Sequence, residues 1–349
     1  MVQNNKTLLI TGGAGFFGSL LKEELLNKGY KCISIDLEKD TFKHPNLVSI
    51  KGNLRSSELL EDIFSSYKFD CIFHCAAILA HAIKDKSFLW ESNVDGTRKL
   101  AEAAKKHKVS KIVFTSSNCL WGENLHKAVS EDDLPHPVEI YGKSKLEGEK
   151  ILLEYKNYFD VVIFRCPTII DYGRLGLLAI LFEFINEGRR IWVVGNGDNK
   201  YQFIYARDLL DACLKAMDYK GSDIFNIGSD NVKTFREVYE YVIKKANTGA
   251  HVASLPKNIT LFLMRLFYNL KLSPLGPYQY KMIAESFYFD TSKIKGKLNW
   301  KPTVTNEEML YRAYKYYHDN KDEIKNRKDV SAHRQPAKMG IIRLLKWVS

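Results

Sequence analysis

The chain has 349 residues, 45% of them hydrophobic, and a formal net charge of +11. Length and apolar content support a globular protein with a full core, as one large domain or two smaller ones. No apolar run reaches the ~18 residues of a bilayer span, and the scattered lysines accompany no nucleic-acid-binding signature, so neither a membrane-spanning protein nor a nucleic-acid partner is expected.

The first strand begins within seven residues of Met1 with no N-terminal signal ahead of it, so a cytoplasmic protein is expected. Six cysteines, Cys32, Cys71, Cys75, Cys119, Cys166 and Cys213, show neither a CxxC pair nor metal-ligand spacing. They read as reduced core or site residues, and no metal is expected.

In chain order, residues 7–11 form a short, β-branched apolar run that predicts a buried parallel strand, and 16–28 separate onto two faces as a helix. Between them lies "TGGAGFFG". Gly12 permits the tight turn, Gly15 lets the backbone approach a ligand, and Gly18 removes a side chain where helix meets strand. The free N–H groups at the helix start point toward an anion. The next strand, 32–35, ends at Asp36, eighteen residues beyond Gly18, where a carboxylate accepts from dinucleotide ribose hydroxyls. Asp36 favours NAD over NADP, although Lys39 lies close by.

Strand-like runs at 47–51, 71–75, 111–116 and 161–165 alternate with amphipathic stretches such as 87–106, which predicts an α/β fold with a doubly wound parallel sheet. Ligands of such sheets bind beyond the carboxyl ends of the strands. Small and polar residues gather there, in "GNL", "AAILAH", "TSSNCLWG" and "CPTIIDYGRLG". From residue 167 the alternation loosens, with helices expected at 177–187, 207–217 and 234–245 and strands near 191–194 and 224–227. The expected division is a dinucleotide-binding domain over 1–166, to which 202–217 return, a smaller mixed α/β substrate lobe over 167–320, and a basic tail over 321–349. Within it, 256–282 hold an apolar segment followed by a Pro-rich turn, read either as a lid or as a core helix. Residues 321–338 have linker composition. The end, "MGIIRLLKWVS", makes a short basic amphipathic segment suited to an anionic membrane surface or to packing on the protein itself.

In "YGKSK", Tyr141 and Lys145 stand four apart on one helical face. A nearby cation would lower the phenol toward a useful base. Ser117, at the end of the preceding strand, would hydrogen-bond the same substrate oxygen.

These features together resemble an extended short-chain dehydrogenase/reductase of the NAD-dependent epimerase/dehydratase family, over roughly residues 6–318. The resemblance rests on "TGGAGFFG", "HCAA" at 74–77, "NVDGT" at 93–97, "SSNCLWG" at 116–122 and "YGKSK", in that order. It implies a Rossmann domain, bound NAD and a homodimer formed through helices near 88–106 and 141–155. It also implies catalytic Ser117, Tyr141 and Lys145, with Ser116 structural. Cofactor contacts are implied at Gly12, Gly15, Phe16, Phe17, Gly18, Asp36, Asn53, Leu54, Ala76, Ala77, Asn93, Lys145 and Pro167.

Departures from the family pattern narrow the chemistry. Sugar 4,6-dehydratases carry an Asp-Glu pair where Asn118 and Cys119 stand, which disfavours dehydration; the decarboxylases' Glu at Cys119 is missing too. Cys119 matches a thiol that exchanges a proton beside a ketone in some sugar-nucleotide epimerases. Arg174 and Lys200 are candidates for a substrate diphosphate. The expected activity is epimerisation of a nucleotide sugar through a keto intermediate. The alternative is a dehydrogenase or reductase of a lipid or sterol-like alcohol, similar to 3β-hydroxysteroid dehydrogenases.

Overall fold

The computed structural model describes residues 5–79, 85–122, 127–273, 275–326, 334–337, 339, 342 and 346. The first half alternates strand and helix: β1 (Thr7–Thr11), α1 (Phe16–Asn27), β2 (Lys31–Asp36), β3 (Leu47–Lys51), α2 (Ser57–Ser66) and β4 (Cys71–His74). Then α3 (Lys86–Trp90) runs through one π-turn (Glu91–Asp95) into α4 (Gly96–Lys106), followed by β5 (Lys111–Ser117), α5 (Ile140–Glu154) and β6 (Asp160–Cys166). The strands are apolar on both faces because helices cover both sides. Leu8, Leu9 and Ile10 are wholly buried.

The second half carries β7 (Thr168–Ile170), α6 (Leu178–Asn186), β8 (Arg190–Val194), β9 (Phe203–Tyr205), α7 (Ala206–Asp218), β10 (Asp223–Asn226), α8 (Phe235–Ala246) and β11 (His251–Leu255). It ends with α9 (Lys257–Asn269), α10 (Pro277–Met282), α11 (Ser292–Leu298), α12 (Asn306–Asp319) and α13 (Lys321–Asn326). The main sheet has seven parallel strands in the order β10-β6-β5-β4-β1-β2-β3. This is the doubly wound Rossmann arrangement, with its ligand crevice at the carboxyl ends near β1 and β4.

A single cut at residue 167 does not describe this chain. β10 is an edge strand of the large sheet, and Leu209, Leu210, Ala212, Cys213 and Ala216 of α7 bury against β1, β4 and β6. Ile294, Leu298 and Trp300 join the same layer. The remaining lobe is built on two small parallel pairs, β7 with β9 and β8 with β11, around an aromatic-rich cluster that includes Phe182, Tyr201, Phe287 and Tyr314. The stretch read as a linker begins with α13, whose Ile324 is buried.

The site wall is pinned by one buried ion pair. The register sets Ser117 against Cys166, so β5 and β6 end together. Behind them Arg165 donates to Glu149 through Nε at 3.2 Å and Nη2 at 2.8 Å, and the Ser116 hydroxyl donates to the same carboxylate at 2.5 Å. Arg165 also caps the Glu131 carbonyl at 3.1 Å and lies over Trp121. Both ions are nearly inaccessible, so removing one strands the other without water. Glu149→Ala is expected to lower stability by about 3–5 kcal/mol, read as a large fall in urea midpoint; a midpoint within experimental error of the parent would show that the pair holds nothing in place.

Candidate active site

At the end of β1 the turn has no room for side chains. Gly12 has φ +75°, and a Cβ there would stand 2.8 Å from the Ala76 backbone. A Cβ on Gly18 would lie 2.1 Å from the Gly12 carbonyl oxygen, so α1 meets the turn backbone to backbone. Gly15 starts α1 without a side-chain cap, and no acidic residue sits in the first turn. The opening N–H groups of this helix therefore suit an anion, which the dipole reinforces. Asp36 ends β2, with Oδ2 accepting from the Ala14 N–H at 2.9 Å and Oδ1 from the Glu38 N–H at 3.0 Å. Its carboxylate is thereby held beside the turn with lone pairs to spare.

The turn opens into a cavity of about 1990 Å³, about twice the upper end of the ~300–1,000 Å³ usual for one small ligand. It is lined by Gly12, Gly15, Phe16, Phe17, Gly18, Asp36, Asn53, Leu54, Ala76, Ala77, Asn93 and Pro167, and by Ser117, Cys119, Tyr141, Lys145 and Arg174. The glycine cradle, the uncapped helix start and the Asp36 carboxylate fit a dinucleotide at one end. Lys200 is the exception. It is exposed, its N–H donates to the Ser286 hydroxyl at 3.0 Å, and it lies away from the cavity. Lys200 is therefore not among the residues that line the space for a substrate diphosphate.

Two polar networks hold the floor. His74 bridges Thr11 Oγ1 (2.7 Å from Nδ1) and Thr97 Oγ1 (2.8 Å from Nε2). Thr97 donates its own proton to the Asn93 carbonyl, so Nε2 carries the imidazole hydrogen. Burial pushes this imidazole down to about 3, which keeps it neutral and structural. Asn93 sits on the π-turn that interrupts the helix expected over 87–106. It accepts from Ile78 N–H at 2.7 Å and donates to the Ile78 carbonyl and Ser144 hydroxyl, both at 3.0 Å. The extra residue in the turn thus aims an amide at the loop after β4.

The residues expected to be catalytic gather at the end of β5 and along the start of α5. Ser117 hydrogen-bonds the Tyr141 phenol, and its Oγ also accepts from the Cys119 N–H at 3.1 Å. Burial dominates the protonation of this wall. It pushes the Tyr141 phenol above its ordinary range, the opposite of the expected depression, because the lowering from Ser117 and Arg174 is smaller than the desolvation. Burial likewise brings Lys145 down to about 8; its ammonium lies 4.0 Å from the centre of the Phe114 ring. The Cys119 thiol is raised to about 11, a protonated group rather than a ready base.

Arg174 also lies on this wall and has no ion pair among the described residues. Its guanidinium lies over Phe16 and interacts with both Tyr141 and Tyr201, burial lowers it to about 10, and its buried Nε has no hydrogen-bond partner. Sequence reasoning missed the hydroxyls that face it. Tyr201 contacts Thr168 Oγ1 at 3.0 Å, Asn118 Nδ2 at 3.1 Å and Tyr278 at 3.3 Å, and Tyr278 hydrogen-bonds Cys119. Glu139 caps the Tyr278 N–H at 2.8 Å, and burial raises its carboxyl. Glu139 precedes α5 by one residue, a position that could have drawn notice; Tyr278 lies 139 residues away from it, where no local pattern reaches.

The C-terminal segment joins the site as well. Gly176 N–H donates to the Gln335 carbonyl at 2.9 Å, Ala337 N–H returns a bond to Gly176 at 3.0 Å, and Arg334 donates to Ser19 on α1. Of the end segment, Met339 and Ile342 pack on the lobe's apolar cluster and Lys346 bridges Glu183 (2.6 Å) and Glu187 (2.8 Å). These three residues dock on the protein's own body; the others of 339–349 lie outside the described residues.

The profile described as the NAD dependent epimerase/dehydratase family matches residues 8–228. The uncharacterized protein y4nG of Sinorhizobium fredii is 37% identical over 344 residues, covering 98% of this chain and 86% of that one. The sterol-4-alpha-carboxylate 3-dehydrogenase, decarboxylating, of Mus musculus is 24% identical, covering 91% and 92%. Among solved structures, the UDP-glucose 4-epimerase of Thermotoga maritima with UDP-glucose matches with a TM-score of 0.73 at 26% identity, covering 90% of this chain and 99% of that one. With the family profile matched over residues 8–228 and a relative 37% identical over nearly the whole chain, the chain belongs to the NAD-dependent epimerase/dehydratase family, an extended short-chain dehydrogenase/reductase.

Proposed function

We propose that the protein epimerises a secondary-alcohol carbon of a nucleotide sugar through a transient ketone. Arg174 carries this reading: a desolvated guanidinium with an unpartnered Nε, set between the glycine turn and the catalytic phenol, suits an anionic diphosphate. The hydroxyls of Ser117, Tyr141, Thr168, Tyr201 and Tyr278 on the adjoining wall match a polyhydroxylated ring better than a hydrocarbon one. That weighs against the lipid-alcohol alternative, which the mouse relative represents. Dehydration lacks its acid–base pair, since Asn118 is an amide donating to Tyr201 and Cys119 is a high-pKa thiol.

NAD, when bound, supplies the hydride acceptor and donor. Ser117 orients the substrate hydroxyl, and Tyr141 takes its proton and later returns it. Because burial holds the phenol protonated in the free protein, this wall depends on its cations. Arg174 favours the phenolate directly, and Lys145, on the same helix face, would hold the cofactor ribose. The homodimer belongs to this reading too. The outer faces of α4 and α5 mix signs, with Arg98, Glu102 and Lys105 beside Lys143, Lys150 and Glu154, which lets a twofold copy pair opposite charges.

Tyr141→Phe is expected to keep the fold and NAD affinity while lowering turnover by about 10²-fold or more; undiminished turnover would take Tyr141 out of the proton transfer. Lys145 yields a pH signature. Its folded pKa lies below the unfolded value, so the charged form opposes folding fully below about pH 8, and the penalty fades as pH rises toward 10.5. NAD-free Lys145→Met should therefore be more stable than the parent at pH 7, by on the order of 3 kcal/mol, with the two melting curves converging near pH 10.5. A constant offset across that range would show that burial of the charge is not the cause.

Cofactor fate separates epimerase from dehydrogenase. An epimerase must return the hydride it took, so the purified protein should retain NAD through gel filtration and turn over sugar nucleotides without net NADH absorbance. Stoichiometric NADH with a hydroxy-lipid, and silence on every sugar nucleotide, would overturn the assignment.

A further inference from the structure

The segment read from sequence as lid or core helix is, for most of its surface, neither. Of α9, Thr260 is buried. Twelve large apolar side chains are exposed among the described residues, and seven of them fall within 259–272. Ile259 is 62% exposed, Phe262 67% and Leu270 57%, with Leu263 and Leu266 between them. Spaced at i, i+3, i+4, i+7 and i+11, these five side chains form one stripe along the helix, on the side away from Thr260 and Met264. Met264, half-buried, lines the wall of the large cavity. The helix thus rests one edge on the protein and turns a second, fully apolar edge to solvent. A contiguous patch of this kind on a folded chain marks a contact surface.

Charge selects the occupant. Residues 256–282 contain Lys257, Arg265, Lys271 and Lys281 and no carboxylate. Lys257, Arg265 and Lys271 are exposed, and none of the three has an ion pair among the described residues. A twofold contact with a second copy would set this patch against itself, cation facing cation, with no acidic residue in the segment to answer them. A bilayer with anionic headgroups accepts both features at once: the apolar stripe enters the acyl boundary while the flanking cations meet the lipid phosphates. We infer that α9 and the turn after it, 257–272, are an interfacial helix by which the protein docks on an anionic membrane surface, with the cavity wall at Met264 held next to the bilayer. The described tail residues are engaged on the protein's own body, so this surface is distinct from them. The inference does not depend on the reaction assigned above.

Flotation of the full-length protein with equimolar phosphatidylglycerol–phosphatidylcholine vesicles, and with phosphatidylcholine vesicles alone, tests it. The parent should float with the anionic vesicles, bind pure phosphatidylcholine several-fold less, and release as salt rises. Phe262→Glu/Leu266→Glu, both in solvent, should cut the floated fraction at least tenfold while melting temperature and bound NAD stay at parental values. Arg265→Glu/Lys271→Glu removes only surface charge and should abolish the preference for anionic vesicles, which keeps the test decisive if the first pair misfolds. Failure of the parent to float, or flotation of both variants equal to the parent's, overturns the inference. So does light scattering that shows a dimer dissolved by Phe262→Glu/Leu266→Glu in a protein that never binds vesicles, because a second copy would then be the occupant.

Discussion

A carboxylate and a guanidinium buried together behind the cavity wall hold in place the elements that carry Ser117, Tyr141 and Lys145. Glu149 lies one helical turn beyond Lys145 and Arg165 two residues before Pro167, while Ser116, on the same carboxylate, precedes Ser117. One ion pair therefore fixes β5, α5 and β6 relative to each other, and with them the serine, the phenol and the lysine. Neither ion has water to fall back on, so the three elements cannot shift apart without breaking hydrogen bonds that nothing replaces. The exposed ion pairs scattered over the surface impose no comparable constraint.

The opposite side of the cavity is fixed by lack of space rather than by charge. With Gly12 against Ala76 and Gly18 against the Gly12 carbonyl, β1, β4 and α1 close to backbone contact. His74 then ties β1 to α4 through Thr11 and Thr97. The imidazole serves this role in its neutral form, Nε2–H donating to the Thr97 oxygen and Nδ1 accepting from Thr11, because burial away from water disfavours the charged ring. The cavity is thus close-packed at its glycine end and hydroxyl-rich along the wall of Ser117, Tyr141, Thr168, Tyr201 and Tyr278.

What the sequence made legible follows from the range of the forces involved. The strands, α1 and the glycine turn were readable because apolar periodicity and the demand for absent side chains act within a few residues; the main-sheet strands differ from expectation by one residue at their ends. The π-turn at Glu91–Asp95 was not, since its extra residue is stabilised by Asn93 reaching Ile78 and Ser144, fifteen and fifty-one residues away. The same holds for Tyr278 on Cys119 and for the C-terminal clasp on Gly176, which are contacts of the finished fold. Lys200 misled for a related reason: a lysine in a polar loop carries no sign of which side of the lobe it will face. Residues 257–272 have helical periodicity on two sides, and sequence alone does not say that one of those sides is left uncovered.

Protonation is where local chemistry and the folded site part most clearly. A lysine four residues from a tyrosine suggests a lowered phenol, yet in this cavity desolvation works on both at once, raising Tyr141 and lowering Lys145. Cys119 is raised and Arg174 lowered by the same cause. The wall thus resists charge of either sign, and each of its groups moves toward its neutral form. Lys145 and Arg174 nevertheless keep their charge at neutral pH, since about 8 and about 10 both lie above it, and the Arg174 cation beside the phenol favours the phenolate. Under the proposed reaction Arg174 would therefore both attract an anionic substrate and favour the deprotonated phenol, which would couple ligand binding to proton transfer through one charge.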